Sequence, residues 1–289
     1  MSSTNATPSP LPAAAPVSEP PVAPDSLTVS IVIHRLHADE LLRNLCTLRA
    51  AVMHVPTVPV RLVLIDNSEA GELGGPLSAI ARDSDWPRAQ VLSGHGNVGY
   101  GAGHNLAIRA SAGAAHLVLN PDIELDPAAL QSGLATLALP GVVLVGAVGR
   151  DGDGRPGYLS KRLPSVWTFF LRGFAPTWLR RRFDARLAHY EYRDLATDHV
   201  SEVTLVSGAF MLARTKALQA VGGFDERYFL HFEDLDLSLR MHAQGRVVSD
   251  PGVTLVHHGG HSARKGWAHL RLFLRSGLRF FNTHGWRWL

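Results

Sequence analysis

The stretch His116-Leu117-Val118-Leu119-Asn120-Pro121-Asp122 joins a short apolar run to a polar turn. An apolar run of this length is typical of a buried strand. In an open α/β sheet, ligands bind at the carboxyl ends of the strands, and a carboxylate placed there can hold a divalent cation against a diphosphate. Because Asn, Pro and Asp also begin turns for local reasons, this stretch alone supports a metal site and a plain turn equally.

The flanking sequence alternates β-type apolar runs with amphipathic stretches of helix length. Strands are predicted at residues 27–33, 60–65, 89–92, 116–119 and 142–148, and helices at 38–53, 105–112 and from Asp126-Pro127 to about 137. This spacing is that of βαβ units, so it predicts an α/β fold with a mostly parallel central sheet flanked by helices.

The alternation breaks at residues 149–200, which we interpret as an insertion over the carboxyl edge of the sheet. It resumes with strands at 203–206 and 210–213, helices at 215–221 and 233–244, and a strand pair at 246–256.

Residues 1–26 consist mainly of Ala, Pro, Ser and Thr, with no aromatic residue, which predicts a disordered tail. The tail lacks the basic and apolar regions of a secretory signal, and the chain has no run of about 18 apolar residues. A cytoplasmic location is therefore expected. The single cysteine, Cys46, cannot form an internal disulfide and is predicted to lie in the core.

The C-terminal residues 263–289 are predicted to form a basic amphipathic helix, since no acidic residue follows Asp250. Its apolar stripe comprises Leu270, Phe273, Leu274, Leu278 and Phe281, and Arg271, Arg275 and Arg279 repeat beside it. Such a helix suits an anionic membrane surface on the inner face of the cell membrane. A helix docked on its own domain is an equally supported alternative, and no nucleic-acid partner is expected.

Two further segments carry polar groups at the carboxyl edge. Asp66 ends the second strand. Its carboxylate could accept a hydrogen bond from a nucleotide base or ribose, or it could form an Asx-turn. The stretch from Gly94 to Asn105 is rich in glycine and opens a helix, so its backbone N–H groups could approach an anion. The glycine spacing departs from the Rossmann fingerprint, which disfavours a dinucleotide site.

The segment from Phe224 to Asp236 ends its aromatic run in three carboxylates, Glu233, Asp234 and Asp236. Acidic residues in a first helical turn stabilise the helix, but aromatic walls beside a carboxylate also raise its basicity and stack on sugars. His257, His258 and His261 at the end of the last strand could suggest zinc. Adjacent strand residues face opposite sides, so one histidine sharing a metal with Asp122 is the simpler arrangement.

In this order, these segments resemble the inverting glycosyltransferases of family 2, which have the GT-A fold, and within them the branch that includes bacterial rhamnosyltransferases. The resemblance covers residues 28–285. The strings that carry it are Ser207-Gly208-Ala209-Phe210-Met211, Gly222-Gly223-Phe224-Asp225-Glu226, Phe232-Glu233-Asp234-Leu235-Asp236-Leu237 and His257-x-x-Gly260-x-Ser262.

The resemblance implies a domain at residues 27–262, with a Rossmann-like nucleotide-sugar half at about 27–148 and an acceptor half at 149–262. It implies that Asp234 is the general base and that Asp122, with His257, holds Mg or Mn. The remaining implied nucleotide-sugar contacts are Asp66, Asn97, Gly99, Gly103 and Asn105, and the implied acceptor-side residues are Phe232, Glu233 and Asp236.

The chain departs from the family pattern in two places. Asn120 replaces the first aspartate of the family's Asp-x-Asp metal motif, which leaves one charged ligand fewer. Ile33-His34-Arg35 stands where the family usually has a Thr-Tyr-Asn-like turn.

The predicted activity is transfer of a sugar, with a rhamnose-like deoxyhexose favoured, from a dTDP- or UDP-linked donor to a saccharide acceptor. The acceptor is expected to be lipid-linked, in the synthesis of surface polysaccharide or lipopolysaccharide. Two alternatives from other classes are a nucleotide-sugar binding protein without turnover and a zinc-dependent hydrolase that would need three convergent ligands.

Overall fold

We describe the chain from a computed structural model, which covers residues 23–259 and 267–289. Most of the predicted N-terminal tail, and His261 with the glycine and serine beside it, lie outside the described residues. The strands are β1 (Leu27–Ile33), β2 (Val60–Asp66), β3 (Gln90–Leu92), β4 (Ala115–Leu119), β5 (Ile123–Leu125), β6 (Val142–Asp151), β7 (Ser160–Lys161), β8 (Ser201–Glu202), β9 (Leu205–Val206), β10 (Phe210–Arg214) and β11 (Arg246–His257).

The helices are α1 (Ala38–Met53), α2 (Gly74–Asp83), α3 (Tyr100–Arg109), α4 (Ala129–Leu137), α5 (Val166–Gly173), α6 (Thr177–Arg182), α7 (Asp184–Tyr190), α8 (Thr215–Ala220), α9 (Glu233–Met241) and α10 (Trp267–His284).

One large sheet organises the described residues, in the strand order β3-β2-β1-β4-β10-β6-β11-β5, with β8 also paired to β11. Strands β3, β2, β1, β4, β6 and β11 run in one direction, and β10, β5 and β8 run against them. The predicted α/β fold with a mostly parallel sheet and flanking helices is therefore confirmed. Strand β1 lies between β2 and β4, the switch point at which open α/β sheets bind ligands.

Both faces of the sheet are buried, which explains why its strands read as continuous apolar runs rather than alternating ones. Every residue of β1 and β4 is buried. Strand β6 passes through the predicted division at residue 148, and β10 and β11 join the same sheet as β1. One core thus supports the carboxyl edge from end to end.

Three local predictions were wrong. Helix α3 begins at Tyr100, five residues before the predicted start, because its glycines lie in the helix and allow close packing. The predicted strand pair at 246–256 is the single strand β11, which is interrupted by an irregular register between Ser249 and Thr254. Cys46 is exposed on the outer face of α1 and is not part of the core.

The C-terminal helix α10 docks on the domain through part of its predicted stripe. Phe280 and Phe281 are buried against Tyr228 and Phe232, and Phe273 packs beside them. The rest of the stripe stays outward: Leu274 is 51% exposed and Leu278 is 54% exposed. Among the described residues, no helix has the length and apolar character required to cross a membrane.

Gly103 tests how closely α3 packs on the sheet. A Cβ at this position would lie 2.9 Å from Val32 Cγ2 on β1. We expect Gly103→Ala to lower the free energy of unfolding by about 1–2 kcal/mol, because overpacking outweighs the gain in helix propensity. Thermal and urea denaturation would measure the change. Gly75→Ala in α2 is the matched control, since a Cβ there meets nothing within 4 Å; equal effects at both sites would contradict the packing argument.

Candidate active site

Asp122 and His257 meet at the carboxyl edge of the sheet. Asp122 follows β4 and His257 ends β11, and their Oδ2 and Nε2 atoms lie 3.3 Å apart. Burial alone would raise the pKa of Asp122, but the hydrogen bond and charge of His257 lower it below its usual value. The other carboxylate oxygen of Asp122, Oδ1, is buried without a hydrogen-bond partner. The neighbouring His258 lies against Glu124 instead, at 2.9 Å, as expected for adjacent strand residues.

Helix α1 anchors the loop that carries Asp122. The side-chain amide of Asn44, which is fully buried, donates to the carbonyl oxygens of Asn120 and Ile123 at 3.0 and 2.7 Å. These two bonds fix the backbone on both sides of Asp122. Sequence reasoning missed Asn44, because a single polar residue in an apolar helical pattern carries no signal of its partner.

Asn120 belongs to a hydrogen-bond network with Tyr100 and Gly208. Tyr100 Oη lies 2.9 Å from Asn120 Oδ1 and 2.7 Å from the Gly208 carbonyl oxygen. A phenol has one proton, so it donates fully to only one of them. An amide can rotate to donate in return, whereas a carboxylate could only accept. The network therefore gives a physical reason for asparagine at the first position of the motif.

Asp234 lies at the start of α9, where backbone N–H groups donate hydrogen bonds to its carboxylate. Its Oδ2 accepts from the Gly208 N–H and its Oδ1 from the Leu235 N–H, each at 2.9 Å. Burial raises the pKa of Asp234, and these backbone hydrogen bonds oppose that rise. The result is a buried carboxylate that is more basic than a free one and still able to ionise.

The adjacent Glu233 has a different environment. Its Oε2 is buried without a hydrogen-bond partner, and burial followed by the charge of Asp234 raises its pKa to about 8. Two N–H groups stabilise the charge of Asp234, whereas burial and the charge of Asp234 both disfavour a charge on Glu233. Glu233 then keeps its proton near neutral pH.

A strained turn before α9 sets the direction of these carboxylates. His231 and Phe232 both have left-handed backbone angles, with φ of 69° and 70°, immediately before α9. Such angles are costly for large side chains and are found where the surroundings enforce them. Here the enforcing contacts are aromatic: Phe232 packs on Phe169 and Phe273 with ring centroids 4.9 and 5.1 Å apart.

Asp234 and His257 open into one cavity of about 370 Å³. The segment predicted to cover the carboxyl edge supplies its opposite wall, including Tyr158, Lys161 and Arg172. Sequence reasoning did not single out these residues, since residues 149–200 show no regular pattern. The cavity thus brings the Asp234 carboxylate, the His257 imidazole, and the Lys161 and Arg172 side chains around one space.

Other predicted nucleotide contacts lie in the loops beside β2 and α3. The Asp66 carboxylate is fully buried and accepts from Ser68 and from the Leu73 N–H, so it forms the local turn that was its alternative. Asn97 bridges Asn67 and Glu69. Gly99 has φ of 92°, and a side chain there would clash with Phe229. These contacts fix the loops that follow β2 and precede α3; direct contact of these residues with a nucleotide stays a prediction.

Three predicted site residues pack against, or bond to, other residues of the protein. Gly103 packs against Val32, and the amide of the buried Asn105 bonds the backbone of Phe224 in both directions, at 2.8 and 2.9 Å. The carboxylate of Asp236 is shared by Arg240 and His284. Gly103, Asn105 and Asp236 thus hold the elements of the site together, and a direct contact of these residues with a substrate stays a prediction.

The residues present fit a cation site that a substrate completes. The unpartnered Asp122 Oδ1 and the nearby His257 Nε2 offer two ligands, and Mg²⁺ or Mn²⁺ in such sites commonly takes further oxygens from phosphate and water. Within residues 23–259 and 267–289, no group of three or more His, Cys, Asp or Glu side chains converges on one point. A hydrolytic zinc centre, with three protein ligands, is not formed by this part of the chain.

The fold is that of the GT-A glycosyltransferases. A family model described as glycosyltransferase like family 2 matches residues 24–275. The chain belongs to that family.

Its curated relatives are rhamnosyltransferases. An N-acetylglucosaminyl-diphospho-decaprenol L-rhamnosyltransferase of Mycobacterium tuberculosis is 31% identical over 222 residues, which cover 71% of this chain and 68% of that protein. Rhamnosyltransferase WbbL of Escherichia coli K12 is 36% identical over 76 residues, which cover 26% of this chain and 29% of that protein. The resemblance to the rhamnosyltransferase branch is thus confirmed.

Solved structures show the same fold at low sequence identity. The mannosyltransferase PcManGT from Pyrobaculum calidifontis, in complex with GDP-Man and Mn²⁺, has a TM-score of 0.59 at 16% identity and matches 94% of this chain and 68% of its own. GalNAc-T7, with UDP, GalNAc and Mn²⁺, has a TM-score of 0.56 at 14% identity. The match covers 80% of this chain and 43% of GalNAc-T7.

The pKa of Glu233 predicts a pH-dependent stability. The unfolded chain releases this proton near its usual pKa of 4.5, and the folded chain holds it to about 8, so the folded state loses stability as pH rises between these values. Glu233→Gln should unfold like the wild type at pH 4 and be more stable by on the order of 5 kcal/mol at pH 9. Urea denaturation across this range is the measurement. Glu226→Gln is the control, because Arg109 lowers the pKa of Glu226; a pH-independent difference for Glu233→Gln would refute the assignment.

Proposed function

We propose that the protein transfers a sugar from a nucleoside diphosphate to a saccharide hydroxyl, with inversion at the anomeric carbon. The observation that carries this proposal is the position of Asp234, a basic, backbone-held carboxylate that shares a cavity with His257. An acceptor hydroxyl in this cavity would donate its proton to Asp234 as its oxygen attacks the anomeric carbon. Attack from the side opposite the leaving diphosphate inverts the configuration.

Asp122 and His257 would hold a divalent cation on the leaving-group side. When bound, the cation neutralises the charge that develops on the diphosphate. Asp122 supplies the only carboxylate of the pair, and Asn120 is committed to Tyr100, so we expect weaker metal binding than an intact Asp-x-Asp motif would give. Binding that depends on the donor's phosphate oxygens suits Mg or Mn.

The relatives suggest the substrates. Their names describe transfer of L-rhamnose to an N-acetylglucosaminyl diphospho-lipid and participation in O-antigen biosynthesis. By this analogy we propose a dTDP- or UDP-linked deoxyhexose as the donor and a lipid-linked saccharide as the acceptor, in the assembly of a surface polysaccharide.

Asp234→Asn tests the proposed base. The variant should lower kcat by about 10²–10⁴, because an amide cannot take the proton, while donor binding measured by thermal stabilisation stays near wild type. The assay screens nucleotide sugars with an N-acetylglucosaminyl lipid acceptor and Mg²⁺ or Mn²⁺, with a chelated arm expected to lose transfer. Asp198→Asn, in an exposed loop, is the matched control. Normal turnover by Asp234→Asn would exclude this residue as the base.

A lipid-linked acceptor requires an approach to the membrane, and the outward face of α10 suits one. Trp267 is 87% exposed, and Leu274 and Leu278 lie exposed beside Arg271 and Arg275. Exposed aromatic and aliphatic side chains flanked by arginines are typical of helices that lie in the headgroup region of anionic bilayers. We propose that this face binds the inner leaflet of the cell membrane peripherally.

Vesicle co-sedimentation tests this surface. The wild type should bind vesicles containing anionic lipid more strongly than zwitterionic ones, and Arg271→Gln with Arg275→Gln should weaken binding by roughly 30-fold, at about 1 kcal/mol for each arginine. The control is Arg82→Gln with Arg88→Gln, two exposed arginines beside the edge strand β3. Equal losses in both double variants would show a diffuse charge effect and rule out a dedicated face.

A further inference from the structure

Lys161 lies in the wall of the cavity that Asp234 occupies, and the proposed transfer mechanism does not use it. Its ammonium lies 5.7 Å from the ring centres of Tyr158 and Tyr190. Within the described chain, no hydrogen bond or ion pair involves this ammonium, which contacts the two rings instead. Burial, and then the charge of Arg172, lower the pKa of Lys161 to about 7, and the charge of Glu191 opposes this fall. An anion that binds beside a half-buried ammonium stabilises its charged form.

Arg172 adds a second positive charge to the same wall. It lies on α5 three residues after Phe169, so both side chains occupy one face of the helix. The nearby carboxylate of Glu191 is 3.7 Å from Arg172 and is also bonded at 2.7 Å by Arg193. One carboxylate thus serves two arginines, and the positive charge on this wall stays in excess.

An apolar groove of about 260 Å³ adjoins the cavity. Phe169, Phe232 and Phe273 line both spaces, so the groove continues from the cavity past a shared aromatic wall. Among the residues that the structure describes, none that lines the groove is charged, and the exposed side chains of Phe174, Leu274, Leu278 and Trp286 form its outer rim. The rim includes residues of the α10 face proposed above to meet the membrane.

We propose that Lys161 and Arg172 bind the diphosphate that joins the acceptor sugar to its lipid, and that the apolar groove receives the first part of the lipid chain. This inference rests on the proposed function, because it assumes that the acceptor hydroxyl lies at Asp234. The base and the cation pair share one cavity, and the apolar groove adjoins it through three phenylalanines. These surroundings suit the three parts of a diphospholipid saccharide, its sugar, its diphosphate and its hydrocarbon.

The donor also carries a diphosphate, so the experiment must distinguish binding of the acceptor's diphosphate from binding of the donor's. The acceptor is favoured because Phe169, three residues before Arg172, lines both the cavity and the groove, while the proposed cation at Asp122 and His257 already serves the donor diphosphate. Binding to the full-length protein is measured with three probes: farnesyl diphosphate, farnesol and UDP with Mn²⁺.

We expect Lys161→Gln to weaken the binding of farnesyl diphosphate about tenfold or more, the loss typical of a charge-assisted hydrogen bond. Lys161→Arg should restore most of it. Phe174→Ser on the exposed rim should weaken both farnesyl compounds. Lys216→Gln, at the exposed lysine of α8, is the matched control and should change none of the three.

Two results would overturn the inference: a Lys161→Gln variant that binds farnesyl diphosphate as the wild type does, or one that loses UDP binding instead. The second result would assign the cation pair to the donor. Transfer is assayed in parallel. Failure of the wild type to transfer any sugar, with the probe pattern intact, would reject the proposed function while the lipid diphosphate site stands.

Discussion

The peptide units around Gly208 are the constraint on which the site depends. The N–H of Gly208 donates to Asp234, and its carbonyl oxygen accepts from Tyr100, which also bonds Asn120. One residue therefore connects the proposed base to the metal motif through its main chain. A side chain could not be added easily, because a Cβ at Gly208 would lie 3.3 Å from both Asp234 and Tyr100. Under the proposed mechanism, the same residue would set the geometry of both proton transfer and leaving-group binding.

The antiparallel strand β10 explains how this residue reaches the ligand edge. Parallel strands bring their carboxyl ends to one edge, so a strand that runs against them brings its amino end there. The segment before β10 accordingly lies beside the end of β4, where the Asn120 N–H donates to the Ala209 carbonyl at 3.0 Å. The mostly parallel sheet thus gains a close backbone contact between β4 and the segment before β10 at its ligand edge.

Sequence patterns predicted those parts of the site that follow directly from strand ends. Asp122 and His257 meet because each ends or follows a predicted strand, and adjacent histidines diverge as strand geometry requires. The pattern failed where tertiary packing decides. Helical spacing placed Asp236 on the same face as Glu233. In the structure, the carboxylate of Asp236 bonds to Arg240 and His284 instead, and His284 lies on α10, 48 residues away in sequence. Lys161 and Arg172 lie in a segment without periodicity, so only the folded chain brings them to the cavity.

The inner face of helix α10 makes contacts that stabilise the candidate site. Besides the His284 to Asp236 contact of 2.8 Å, Ser276 donates to the Leu230 carbonyl at 2.9 Å, and Gly277 allows Phe232 to pack closely. These contacts surround the strained turn at His231 and Phe232, and they offset the cost of its left-handed angles. Because the opposite face of the same helix carries the exposed leucines and arginines, a bilayer bound there would lie at a fixed position relative to Asp234. The rigidity of one helix would thus set both the direction of the base and the height at which an acceptor leaves the membrane.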